Sequence, residues 1–195
     1  MVSLNHHSVL EAKQMEPSKP RLDRSDFLHR GLEVLVADGP GALTAARLAR
    51  ELKVSTGSFF WHFKTVDRFR DELKTFWRDE VIVGTIRDAK ERADDPGKVM
   101  EEIGKIVRRR GTHRYDAAMR LWAETDCKAE EIVRSADQLR GDLIAGVLKD
   151  AGASTEGARD RASLFGAAWR GSQEMKTDHR FKLMSMITDE SGTSS

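Results

Sequence analysis

The chain has 195 residues, 33 Lys and Arg against 32 Asp and Glu for a formal net charge of +1, and a single cysteine. That length holds one large domain, or two smaller ones, with a sizeable core; Cys127 alone excludes an intramolecular disulfide and a cysteine-built zinc site. No apolar run nears the roughly 20 residues needed to cross a bilayer, so no membrane partner is expected and the cytoplasm is the simplest location. Ala, Leu, Arg, Glu, Lys and Met dominate, with only four prolines, and an all-α fold is expected.

In chain order, residues 1–20 are polar and aperiodic and read as a mobile arm. A first helix is expected over about Arg21–Ala37, where Phe27/Leu28, Gly31/Leu32 and Leu35/Val36 recur every four residues. Asp38-Gly39-Pro40-Gly41 stops it. A short second helix follows over Thr44–Leu52 with Thr44 as N-cap, and after Lys53 and Val54 a third begins at Ser55 and reaches about His62. Thr65 caps a long fourth helix with Asp67 in its first turn. Further helices are expected over about 96–110, 117–124, 128–150, from Thr155 through Trp169, and 178–187; a tail over 188–195 is read as disordered.

Two helices of about eight residues joined by a tiny turn are marginal alone, since helices under about 12–15 residues barely form in water. They must pack on the first and fourth helices, which is the layout of a helix-turn-helix. The third helix opens Ser55-Thr56-Gly57-Ser58: small residues, hydroxyls and free backbone N–H groups that approach a phosphate or base edge closely. Arg47, Arg50, Lys53 and Lys64 against Glu51 make the module locally basic. Phe59 and Phe63 share one face and should point inward. Phe60 and Trp61 then sit at the edge, placed to brace on the sugar-phosphate backbone, with His62 and Lys64 reaching phosphates.

The run ALTAARLARELKVSTGSFFWHFKTVDRFRDEL resembles the DNA-binding signature of the TetR family of bacterial transcriptional regulators. The matching residues are Leu43-Thr44, Leu48-Ala49, Val54-Ser55 and Gly57 through Lys64. The resemblance implies an N-terminal three-helix DNA-binding domain over 21–66 and a C-terminal helical ligand-binding and dimerisation domain over 67–187. It implies a homodimer, a palindromic double-stranded DNA operator, and a small-molecule effector that releases the DNA. It makes Thr44, Ser55, Thr56, Gly57, Ser58, Phe60, Trp61, His62 and Lys64 the DNA-contact candidates, with Arg47 added from the basic cluster. Three positions depart from the family pattern: Phe60 stands for Tyr, Lys53 for a Gly that ends the second helix, and Val66 for Lys. If position 53 needs a left-handed backbone, lysine costs about 1 kcal/mol there.

The C-terminal half is less readable. Met100, Met119, Trp122, Phe165 and Trp169 can line a ligand pocket, and at helical spacing they serve equally as core. His113, Tyr115, Cys127 and His179 lack metal-ligand spacing, and no metal or cofactor is expected. Arg108-Arg109-Arg110 suits a helix C-terminus. Leu164 through Trp169 mix large and small residues around the whole turn, so the last two long helices are expected to form a dimer interface. An all-α metal oxidase would need Glu-x-x-His pairs, and no His follows a Glu by three; no phosphate loop or nucleophile motif occurs either. The expected function is a ligand-responsive repressor. The alternative is a helical scaffold or sensor that has lost specific DNA binding.

Overall fold

Asp23 starts the first helix. Its carboxylate accepts from the Asp26 N–H while Asp26 accepts from the Asp23 N–H, a reciprocal cap that places the start of α1 (Arg24–Asp38) three residues later than periodicity alone predicts. The computed structural model describes residues 22–93, 95–172 and 177–188. The arm expected over 1–20 and the tail from 189 onward lie outside the described residues.

Gly39, at φ 75°, ends α1, and a single 3-10 turn, Pro40–Ala42, leads into α2 (Ala45–Leu52). α3 (Thr56–Phe63) and α4 (Val66–Phe76) follow at once. The expected caps Thr44, Ser55 and Thr65 all act: each hydroxyl accepts the backbone N–H three residues on, at 3.2, 3.3 and 3.1 Å. α4 passes through a π-helical stretch, Trp77–Val83, into α5 (Gly84–Lys90), with helical backbone angles at both junctions. Then come α6 (Pro96–Arg110), α7 (His113–Ala123), α8 (Cys127–Asp150), α9 (Thr155–Gly171) and α10 (Thr177–Thr188). α7 begins four residues before the Ala117 expected from sequence, because Tyr115 and Asp116, polar in pattern, are buried against other helices. The architecture is all-α, with an N-terminal helix-turn-helix and a C-terminal helical domain; no strand occurs among the described residues, and no helix there is long and apolar enough to cross a membrane.

The largest core runs without a break from the head into the C-terminal helices. Phe27, Leu32, Leu48, Phe59, Phe63, Phe69 and Leu73 lead on to Trp77, Met119, Trp122 and Ala136. α1 crosses α4 so closely that a Cβ on Gly31 would lie 2.6 Å from Phe69 Cζ; only glycine fits unless Phe69 shifts. Lys74 is buried where α4 meets α8. Its ammonium lies 3.0 Å from Asp126, which also caps α8, and 4.6 Å from the Trp122 ring centroid. A second core joins Ile144, Leu148, Ala158, Ala162, Phe165, Trp169 and Met184 of α8, α9 and α10.

Candidate nucleic-acid interface and ligand cavity

The α3 rings divide as helical geometry requires. Phe59 and Phe63 are fully buried, 5.2 Å apart, and stack edgewise on Phe27 at 5.9 Å each. Phe60 is 44% exposed and Trp61 63% exposed, an outward pair of large rings beside an inward pair. The first turn of α3 presents Thr56 and Gly57 to solvent with Ser58 half-buried. Ser55 spends its hydroxyl oxygen on the Ser58 N–H, and Thr44 likewise caps α2; both remain exposed. His62 is half-buried, its ring 5.3 Å from Phe27 and edge-on to Trp61 at 4.7 Å. Arg47 is not an open cation: its guanidinium is tied to Asp38 at 2.9 Å and Glu51 at 3.0 Å.

Two turns in this head hold lysine at positive φ. Lys53 ends α2 at φ 57°, ψ 42°, the left-handed region that favours glycine. Lys64 sits at φ 65°, ψ −45°, and the Thr65 N–H donates to the Phe63 carbonyl across it at 2.7 Å. This is a γ-turn, a strained form for a non-glycine residue, and it sets α3 sharply against α4.

A cavity of about 740 Å³ lies in the C-terminal half, walled by the π-helical stretch and by α5 through α10. Met100, Phe165 and Trp169 line it. Met119 and Trp122 do not: they pack in the head-to-α8 core, and Trp122 is the platform for Lys74. Sequence reasoning missed Trp77, His113, Asp116 and Arg140 as lining residues. One signal was present: Trp77, Val81, Ile82, Thr85 and Ile86 repeat at helical spacing along one face.

Asp116 is the most deeply placed charge in this wall. It accepts from Arg140 at 2.6 Å, Arg120 at 2.9 Å and the Trp169 indole N–H at 3.1 Å. Burial alone would raise its pKa, but the two guanidinium groups outweigh it and hold the carboxyl below the usual Asp range. Arg120 and Arg140 also reach Asp137, so the network ties α7 to α8. Burial, helped by Arg180 and Arg114, holds His113 below the usual His range. On the same turn of α7, Arg114 and the Tyr115 hydroxyl both donate to Glu33 of α1. Four consecutive residues therefore divide between cavity and head: His113 and Asp116 line the one, Arg114 and Tyr115 hold the other. Among the described residues no group of three or more His, Cys, Asp or Glu is arranged to hold a metal ion.

Residues 27–69 match the family model for bacterial regulatory proteins of the tetR family. No curated protein sequence matches the chain. Solved structures are similar in fold. A TetR transcriptional regulator from Legionella pneumophila is 11% identical, with a TM-score of 0.69 over 87% of this chain and 100% of that one. A transcriptional regulator from Rhodococcus sp. Rha1 is 19% identical, TM-score 0.62, over 84% and 94%. The multidrug binding protein EbrR, solved with imidazole, is 16% identical, TM-score 0.53, over 87% and 92%.

Proposed function

We propose, from the match of residues 27–69 to the tetR family of bacterial regulatory proteins, that the chain is a cytoplasmic homodimeric repressor whose head leaves DNA when a small molecule fills its cavity. One observation carries the DNA reading: α3 buries Phe59 and Phe63 completely while turning Phe60, Trp61 and a small, hydroxyl-rich first turn outward. A helix held this way has its rings braced inside and a low, N–H-rich end free to enter a major groove. The DNA contacts are then Thr44, Ser55, Thr56, Gly57, Ser58, Phe60, Trp61, His62 and Lys64, with Arg47 acting through its ion pairs rather than as a free cation.

A palindromic operator needs two heads about 34–36 Å apart or a multiple of that. α8 and α9 supply the dimer face: Leu164 is 56% exposed beside Ala167, and Gly141, Gly146 and Gly171 each have open space where a Cβ would stand, so a partner's helices can approach closely. The effector reading draws support from the cavity itself and, by analogy, from EbrR with imidazole. A ligand releases DNA only by favouring a dimer whose heads are wrongly spaced.

The test is anisotropy of labelled duplexes carrying the sequence that flanks this protein's own gene, over a salt series and against a scrambled duplex. Specific binding that falls steeply with salt is expected. Trp61→Ala should weaken it about tenfold or more, an effect of about 1.4 kcal/mol, with thermal unfolding unchanged. Binding no better than to the scrambled duplex, on flanking and genomic fragments alike, refutes the repressor reading and leaves the helical scaffold or sensor.

A further inference from the structure

Among the described residues only two that are not glycine take a positive φ, and both are lysines of the head: Lys53 at 57° and Lys64 at 65°. Each follows the end of a short helix, α2 or α3. Around Lys53 the backbone makes a full Schellman motif. The Val54 N–H donates to the Ala49 carbonyl at 2.9 Å, and the Lys53 N–H donates to the Arg50 carbonyl at 3.2 Å. That motif puts its left-handed residue at position 53, where glycine carries no steric cost and lysine does. A strained side chain that the fold does not require points to a use outside the fold.

The chemistry of the side chain says what the use is. Lys53 and Lys64 are both exposed, and neither ammonium has an ion-pair or hydrogen-bond partner among the described residues. Other cations of the head are engaged: Arg24 and Arg68 share Glu72, and Arg47 spans Asp38 and Glu51. Glu51, the acid nearest to Lys53 in sequence, is thus already held. A cation near a helix C-terminus also gains from the helix dipole. Arg50 supplies that charge in the last turn of α2, on an unstrained backbone, so the dipole does not explain lysine at position 53.

The two lysines bracket α3. Lys53 lies three residues before Thr56, its first residue, and Lys64 directly follows Phe63, its last. Eight helical residues rise about 12 Å, close to the width of the major groove, also about 12 Å. A helix seated there carries an unengaged ammonium at each end, where the groove is walled by phosphates.

Resting on the reading of α3 as the groove helix, we propose that Lys53 is a further DNA-contact residue, binding a backbone phosphate so that α3 is held by a cation at both ends. The resemblance offers no counterpart for this contact, because it puts glycine at position 53. A phosphate contact fixes the seat of the helix and carries no sequence information.

Anisotropy titrations of the full-length protein test this, on the gene-flanking duplex and on its scrambled form, between about 50 and 200 mM salt. Lys53→Gln keeps a long side chain on the same strained backbone and removes only the charge. It should lower the slope of log affinity against log salt by about 0.9 per bound head, about 1.8 for a dimer with both heads seated. At about 0.1 M salt it should weaken both duplexes about fivefold or more, by the same factor. Lys53→Arg should restore slope and affinity. Arg50→Gln removes a neighbouring exposed cation and should change the slope less.

An unchanged slope in Lys53→Gln, a loss confined to one duplex, or no rescue by arginine overturns the assignment while the DNA reading stands. Equal falls in Lys53→Gln and Arg50→Gln overturn it too, since the effect would then belong to the overall charge of the head. Wild-type protein that binds neither duplex sinks the DNA reading and this contact with it.

Discussion

A methyl group built on Gly57 would meet only Ser55 Oγ, at 3.5 Å. Nothing inside the protein requires glycine there, which leaves close approach of an outside partner as the reason for it. Gly57→Ala should therefore keep or raise stability, by up to about 0.5–1 kcal/mol, while weakening operator binding about tenfold. Paired urea melts and anisotropy titrations check both halves; equal DNA affinity would remove Gly57 from the contact set. Lys53 presents the opposite case. Its left-handed backbone carries a side chain where the fold needs none, so Lys53→Gly should stabilise by up to about 1 kcal/mol in urea unfolding. Position 53 was legible through the resemblance alone, which puts a helix-ending glycine there and so raises the question of a left-handed backbone. The γ-turn at Lys64 was not, since nothing local marks it; the packing of α3 on α4 imposes it.

At the scale of elements, caps were readable and burial set by distant partners was not. Thr44, Ser55 and Thr65 act through bonds to residues three positions away, so sequence alone contains both partners. The start of α7 depends on partners far along the chain: Glu33 for Arg114 and Tyr115, and Arg140 and Trp169 for Asp116. The same distance effect sorted the five expected pocket residues, sending Met119 and Trp122 to one core and Met100, Phe165 and Trp169 to the cavity. Asp116→Asn tests the buried network. It leaves Arg120 and Arg140 with Asp137 as their one shared carboxylate and should cost up to about 3–5 kcal/mol at pH 7. A carboxyl held below its unfolded pKa stabilises the fold above the ordinary Asp range, near 4, and loses that contribution as pH falls. The gap between wild type and Asp116→Asn should therefore narrow in urea melts at about pH 3.5. A constant gap would mean that shape, not charge, sets the cost.

At the scale of the whole molecule, one core links head and C-terminal helices, and α7 touches both ends of the proposed signal. His113 and Asp116 line the cavity, while Arg114 and Tyr115 hold Glu33 on α1. Glu33→Gln keeps the size of the side chain and removes its charge. Cavity binding by dialysis should be unchanged, while the loss of DNA affinity caused by ligand shrinks about fivefold, near 1 kcal/mol of coupling. An unaltered ligand response would assign the coupling elsewhere, with the continuous core around Phe69, Leu73 and Trp77 as the remaining route.

The outward setting of Trp61 has an optical consequence. The chain holds four tryptophans. Trp61 stands 63% open on α3, Trp77 and Trp169 line the cavity, and Trp122 is buried over Lys74. Their ultraviolet emission is thus separable by place: a water-exposed, red-shifted, iodide-quenchable component from the head, and blue, shielded components from the interior. Occupancy at the two ends of the molecule can be followed in one cuvette, by its own indoles and without a dye.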